Sequence, residues 1–239
     1  MRKIKYLIIV SFIFIITACA PGYMSNDNFK KRFGNSNKIT ATIIKPDAHV
    51  ITIDGNKTRE LSIKSQVASR NIERSLRANL PKKIYVTGTT GTTCPYIQND
   101  NGLDDNSCSL LIKSLREAYE KATKYPKYAG GKSLKGLYLY KGYLPSTNIS
   151  IYTLAIEPTR SAGELTKDVL ISVVVGALTG IMPSKSYTDK IVMIVVDNKT
   201  KEILWLSSVA GDIDLEDQKE VDEKIKELSE SLKKYIDSK

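Results

Sequence analysis

The chain has little of what disulfide scaffolds and zinc proteins rely on. Three cysteines in 239 residues cannot build a disulfide-dense framework, and with a single histidine they leave little for a zinc site. Aromatic residues make up only 8%, with four Phe and one Trp. No apolar run reaches the roughly 20 residues that a helix needs to cross a bilayer; the stretches 6–18 and 169–182 hold 13 and 14. There is no Gly-x-Ser-x-Gly elbow, so a serine or cysteine triad would have to use His49, the one histidine, as its base. Against these absences stand 41% hydrophobic and 26% charged residues. That is too apolar for a disordered chain and enough for a core of one domain or two.

The N-terminus has the layout of an export signal. Met1-Arg2-Lys3-Ile4-Lys5 is basic, and Tyr6 to Ala18 is almost unbroken apolar sequence. It ends in Ile16-Thr17-Ala18-Cys19, which resembles the lipobox of bacterial lipoproteins. The resemblance implies a diacylglycerol on the Cys19 thiol, cleavage before Cys19 and an acyl chain on the new amino terminus. The alternative is an ordinary signal peptide whose cleavage site adjoins a cysteine. Loss of residues 1–18 lowers the formal charge from +10 to +7. Two or three acyl chains hold a protein at a membrane, where one alone is marginal. No other cofactor is expected. By resemblance to enterobacterial sorting, Ala20 fits the outer membrane, facing the periplasm, if the source is Gram-negative; otherwise the outer leaflet of the plasma membrane is expected.

Residues 19–37 read as the lipidated cysteine and a flexible tether, because Pro21 to Asn37 is rich in Gly, Ser and Asn and has no apolar period. Seventeen extended residues reach at most about 60 Å. Lys30, Lys31 and Arg32 are placed either to rest on anionic headgroups or to belong to a merely soluble linker.

Residues 38–239 are expected to fold. Strands are predicted at Ile39 to Ile44, His49 to Ile53 and Lys83 to Thr87. A helix is predicted from Ser62, as its N-cap, to Leu80, stopped by Pro81. Leu110 to Tyr125 and Leu165 to Ile181 read as helices, and Gly136 to Leu144 with Ile149 to Ile156 as paired strands. Ile191 to Val196 and Glu202 to Ser207 read as a hairpin through Asp197-Asn198-Lys199-Thr200. A final amphipathic helix places Val221, Ile225, Leu228, Leu232 and Tyr235 on one face. The interleaving implies a single α/β domain, a mixed β-sheet with flanking helices, preceded by signal peptide and tether.

Chemistry-bearing patterns are few. Cys94 and Cys108 are expected to pair in an oxidising compartment, closing a loop of 15 residues for about 3 kcal/mol. The polar segment Gln98 to Asn106 between them fails as an EF-hand, since Ile97 and Cys108 occupy the end ligand positions. Gly131-Lys132-Ser133 fails as a phosphate loop because Pro126 stands where glycine is required. Glu157, Asp168, Asp189 and Asp197 are the carboxylates an enzyme would have to pair, although Asp197 sits where Asp commonly binds turn backbone.

Contact features are more numerous. The 169–182 run contains Gly176 and Gly180 at a spacing that lets helices approach closely, as core, membrane or oligomer contact. Tyr138, Tyr140 and Tyr152 are expected to share sheet faces as an aromatic contact surface or as half-buried packing. Lys113 to Lys141 carries eight basic and two acidic residues, and Asp212 to Lys239 ten acidic and six basic. That asymmetry suits anionic lipid or glycan, or head-to-tail assembly. Nucleic acid is excluded by the expected compartment.

The hairpin from Val192 to Trp205, followed by the terminal helix, is similar to the ending of lipoproteins related to the curli secretion channel and to TolB N-terminal-like domains. There the turn reads Asp-x-x-Thr-Gly, and Lys201 stands in place of the glycine. Ile39 to Val86 suits that family's strand–strand–helix–strand opening. The resemblance implies a membrane-anchored, non-catalytic accessory or assembly factor for secretion or envelope machinery, with a protein partner or self-association. The alternative is an enzyme acting on envelope glycan or lipid through paired carboxylates.

Overall fold

Short runs of β-branched residues, broken at Pro and Gly, build the sheet. The computed structural model describes residues 23–54, 57–90, 134, 138, 145–160 and 189–238. In chain order these form β1 (Tyr23–Ser25), α1 (Asn28–Phe33), β2 (Ile39–Ile44), β3 (Asp47–Asp54), β4 (Lys57–Glu60) and α2 (Ser62–Asn79). There follow β5 (Ile84–Thr90), β6 (Ile149–Arg160), β7 (Asp189–Asp197), β8 (Ile203–Gly211) and α3 (Gln218–Asp237). One eight-stranded sheet runs β1-β8-β7-β6-β2-β5, with β3 beside β6 and β4 beside β3. The expected α/β domain with a mixed sheet and flanking helices is the one that forms.

β2 and β3 are successive parts of one bent strand alongside β6, both parallel to it. Ile43 lies opposite Ile151 and Asp47 opposite Leu154, so four steps on one side match three on the other. Lys45-Pro46 carries the extra residue as a bulge. Proline suits it, having no N–H to leave unpaired, and the Pro46 carbonyl accepts from Ser69 Oγ at 2.7 Å. The bulge also shifts the pleat. Ile39, Ala41 and Ile43 before it and Ala48 and Val50 after it therefore all join the same core under the helices.

β7 is buried on both faces, which explains its continuous apolar sequence. Ile191, Met193 and Val195 join the main core with α2 and α3, while Val192, Ile194 and Val196 form a second layer with Tyr152, Ile203, Leu206 and Leu134. α3 buries Val221, Ile225, Leu228, Leu232 and Tyr235 as its pattern requires. Its N-terminus is capped by the Asp217 carboxylate, which accepts from the Lys219 and Glu220 amides at 2.7 and 3.2 Å. α2 starts at Ser62, but Leu61 is its N-cap and makes no side-chain cap bond. The first turn is tied instead to β3, where the Val50 amide donates to Ser65 Oγ at 3.0 Å.

The expected pairing of 136–144 with 149–156 is corrected. β6 has β2 and β3 along one edge and β7 along the other, so neither edge is available. No helix among the described residues is long and apolar enough to cross a membrane.

Candidate functional site

The segment read as a tether is, from Tyr23 onward, folded chain, so folded sequence is already present before residue 38. β1 adds to the edge of β8, with Tyr23 opposite Ser207 and Ser25 opposite Trp205. Asn26 is 2% exposed and bonds in four directions. Its amide donates to the Leu204 carbonyl at 2.8 Å, its Nδ2 to Glu202 Oε1 at 2.7 Å, its Oδ1 accepts from the Asn28 amide at 3.0 Å, and its carbonyl accepts from the Tyr235 hydroxyl at 2.8 Å. Asn28 Nδ2 donates to both Glu202 oxygens at 3.0 Å. α1 then inserts Phe29 and Phe33 into the core, Phe29 stacking on Tyr235 with centroids 5.7 Å apart. A composition-based reading misses this because two phenylalanines four apart do not make a period.

The same segment clamps the β7–β8 turn. Asp197, fully buried, forms an ion pair with Arg32 and accepts from the Lys199 and Thr200 amides at 2.8 and 3.1 Å. Its expected role of binding turn backbone is thus observed. Lys201 takes φ of 64°, the left-handed conformation that favours glycine.

This arrangement collects the starts of β2, β5, β6 and β8 with α1 and the end of α3 at one pole. The Ile39 amide bonds the Lys83 carbonyl at 2.7 Å, the Asn198 amide bonds the Asn148 carbonyl at 3.1 Å, and Lys83 Nζ lies 3.6 Å from Asp237. Lys30 Nζ donates to Ser238 Oγ at 2.8 Å and lies over the Tyr235 ring. Exposed lysines here are Lys31 on α1, Lys38 and Lys82 at the strand starts, Lys199 and Lys201 in the turn, and Lys233 and Lys234 on α3. Among the described residues, the exposed acids at this pole are Asp27, Asp237 and, one turn before Lys234, Glu230; Asp197 and Glu202 are buried in the clamp. Two exposed aromatics lie here as well: Tyr85, with Lys38 Nζ 3.9 Å over its ring, and Tyr138, which bridges Glu202. The far end of β8, about 26 Å away along nine residues, leads into 212–223, with seven acidic residues and Lys219.

The chain's histidine sits toward that acidic end. Its side chain is 5% exposed, with Nε2 3.1 Å from Asp47 Oδ1 and Nδ1 2.9 Å from Glu60 Oε1. Burial lowers the imidazole pKa, but hydrogen bonding and charge from Asp47, then Glu60, outweigh it and the net shift is upward. Carboxylates at both ring nitrogens favour the charged imidazole and occupy the atoms that a catalytic base would present to a nucleophile. In the same cross-strand row, beyond Ile156, burial lowers Lys190 to about 8. No group of three metal-ligating side chains occurs among the described residues.

The remaining expected site residues divide as follows. Cys19, Cys94, Cys108, Tyr140, Gly176 and Gly180 lie outside the described residues, as do the expected helices over 110–125 and 165–181. The expected Cys94–Cys108 bridge is corrected, since no disulfide is present among the three cysteines. An oxidising compartment permits a bridge, but closure needs Cα atoms within about 7 Å, which spacing in sequence does not fix. Tyr138 is 57% exposed, whereas Tyr152 is 5% exposed, its phenol raised to about 12 by burial, so the two do not form one aromatic face. Of the carboxylates an enzyme would pair, Asp197 belongs to the clamp and Glu157 Oε2 accepts from the Leu215 amide at 2.9 Å. Asp168 and the Asp189 side chain lie outside the described residues.

No protein-family model matches this chain, and no curated protein matches it. Among solved structures, the PelC dodecamer from Paraburkholderia phytofirmans is similar with a TM-score of 0.35 and 9% identity, over 82% of this chain and 89% of that one. A single-substitution variant of that dodecamer gives a TM-score of 0.30 and 8% identity, over 81% and 89%. Likeness at this level says nothing of activity or partner.

Proposed function

We propose that this chain is a lipoprotein of the bacterial envelope, held at a membrane through acylated Cys19. In this reading it acts as a non-catalytic accessory or assembly factor for secretion or envelope machinery. The observation that carries the reading is Ile16-Thr17-Ala18-Cys19, set directly after a 13-residue apolar stretch with a basic start. In a Gram-negative source the place is the periplasmic side of the outer membrane; otherwise it is the outer leaflet of the plasma membrane.

Folded chain from Tyr23 changes how such an anchor would work. Ala20, Pro21 and Gly22 alone separate Cys19 from β1, a reach of at most about 14 Å. The domain therefore works at the leaflet surface and does not range about 60 Å from it. A protein partner or second copy would meet it there, with Gly176, Gly180, Tyr138 and Tyr140 as contact residues; Tyr152, being buried, leaves that set. The described carboxylates support the non-catalytic reading, because Asp197 and Glu157 already hold backbone amides.

Cys19→Ser in the native cell tests the reading. The expected outcome is a shift from the membrane to the soluble fraction, with loss of the protein crosslinks that the parent chain forms. Unchanged membrane association and unchanged crosslinks would refute it.

A further inference from the structure

We propose that the basic pole is a second membrane contact, seating the domain on anionic phospholipid headgroups; the idea rests on the lipid anchor proposed above. Three observations combine. The exposed lysines of this pole come from five separate parts of the chain, α1, the β2 and β5 starts, the β7–β8 turn and α3, yet they meet at one end of the sheet. Its buried acids face inward onto Asn26, Asn28 and Arg32, so they do not offset that charge at the surface. Tyr85 and Tyr138, two of the three exposed large apolar side chains among the described residues, lie at the same pole. Tyrosine, with an apolar ring and a wet hydroxyl, and lysine, with an apolar stem and a charged head, both favour the headgroup layer.

Chain length makes the contact geometrically available. Tyr23 lies opposite Ser207, at the middle of β8 and about 13 Å from either end of that strand, with β1 running towards the basic end. Cys19 is within about 14 Å of Tyr23. A domain so close to the leaflet must turn some face to it, and charge decides which. The 212–223 end, with seven acidic residues, is repelled by anionic headgroups. The lysine-rich end is attracted, each lysine by about a fivefold gain in occupancy.

The test uses the native acylated protein bound to vesicles of phosphatidylcholine alone or of equimolar phosphatidylcholine and phosphatidylglycerol. A water-soluble amine reagent then labels exposed lysines, read peptide by peptide by mass spectrometry. Labelling of Lys31, Lys199 and Lys201 should fall by at least about fivefold on the anionic vesicles, with Lys219 and Lys226 unchanged. Molar salt, which shortens screening to about 3 Å, should restore it. Equal labelling on both vesicles overturns the proposal. So does protection already present in detergent, which would assign the pole to the acidic end of a second copy. Protein that binds only the anionic vesicles keeps the pole and sinks the anchor; protein that binds neither overturns both.

Discussion

The imidazole of His49, between Asp47 and Glu60, gives the fold a pH dependence with a definite sign. Its folded pKa lies above the ordinary value of about 6.5, so its contribution to stability is complete below that value and is lost as pH rises through the folded pKa. Lys190 acts oppositely. Its folded value of about 8 lies below the ordinary 10.5, so the unfolded chain holds the extra proton between them and stability rises with pH over that window. Urea midpoints measured across neutral to alkaline pH should first fall and then recover. His49→Gln should remove the fall and leave the recovery; an unaltered fall would mean that another group carries it. Lys201 supplies a second residue-scale outcome. At φ of 64° a lysine bears the left-handed cost that glycine escapes, so Lys201→Gly should stabilise by roughly 0.5–1 kcal/mol in chemical denaturation. A loss of stability would mean that the lysine side chain has a role the backbone does not reveal.

Among the elements, those with a strong period were legible. β2 coincides with Ile39 to Ile44, α2 ends before Pro81, and α3 buries the five residues its spacing selects. The missed elements are short and lack apolar alternation. β4 is Lys-Thr-Arg-Glu, a strand because its backbone pairs with β3, and β1 is three residues on the sheet edge. α1 is six residues whose two phenylalanines gain meaning only against Tyr235. The site was less legible than the fold for the same reason: the clamp joins Asn26, Asn28 and Arg32 to Asp197 and Glu202, more than 160 positions away. Phe29→Ala measures whether α1 is structural. Removing a ring that is 1% exposed should cost about 3–5 kcal/mol in denaturation and open residues 23–33 to proteolysis. Full stability with an unchanged cleavage pattern would restore the tether.

At the scale of the whole molecule, two features of different origin point the same way. The lipobox resemblance implies the anchor proposed at Cys19, and chain that is folded from Tyr23 leaves three residues between that position and the sheet. Among the described residues charge is polarised along the strands, basic at the clamped end and acidic at 212–223, so a domain held this close would not be indifferent to its orientation. The long tether and the disulfide expected from composition and compartment both drop out. The proposed reading is of a short-leashed domain that meets its partners through its surface. The most direct measurement is the intact mass of the protein isolated from its own membrane, with fragmentation from the amino terminus. The account predicts a chain that starts at Cys19 and carries diacylglycerol on sulfur, with a further acyl chain on nitrogen; an unmodified Cys19 thiol, or residues 1–18 still attached, would contradict it.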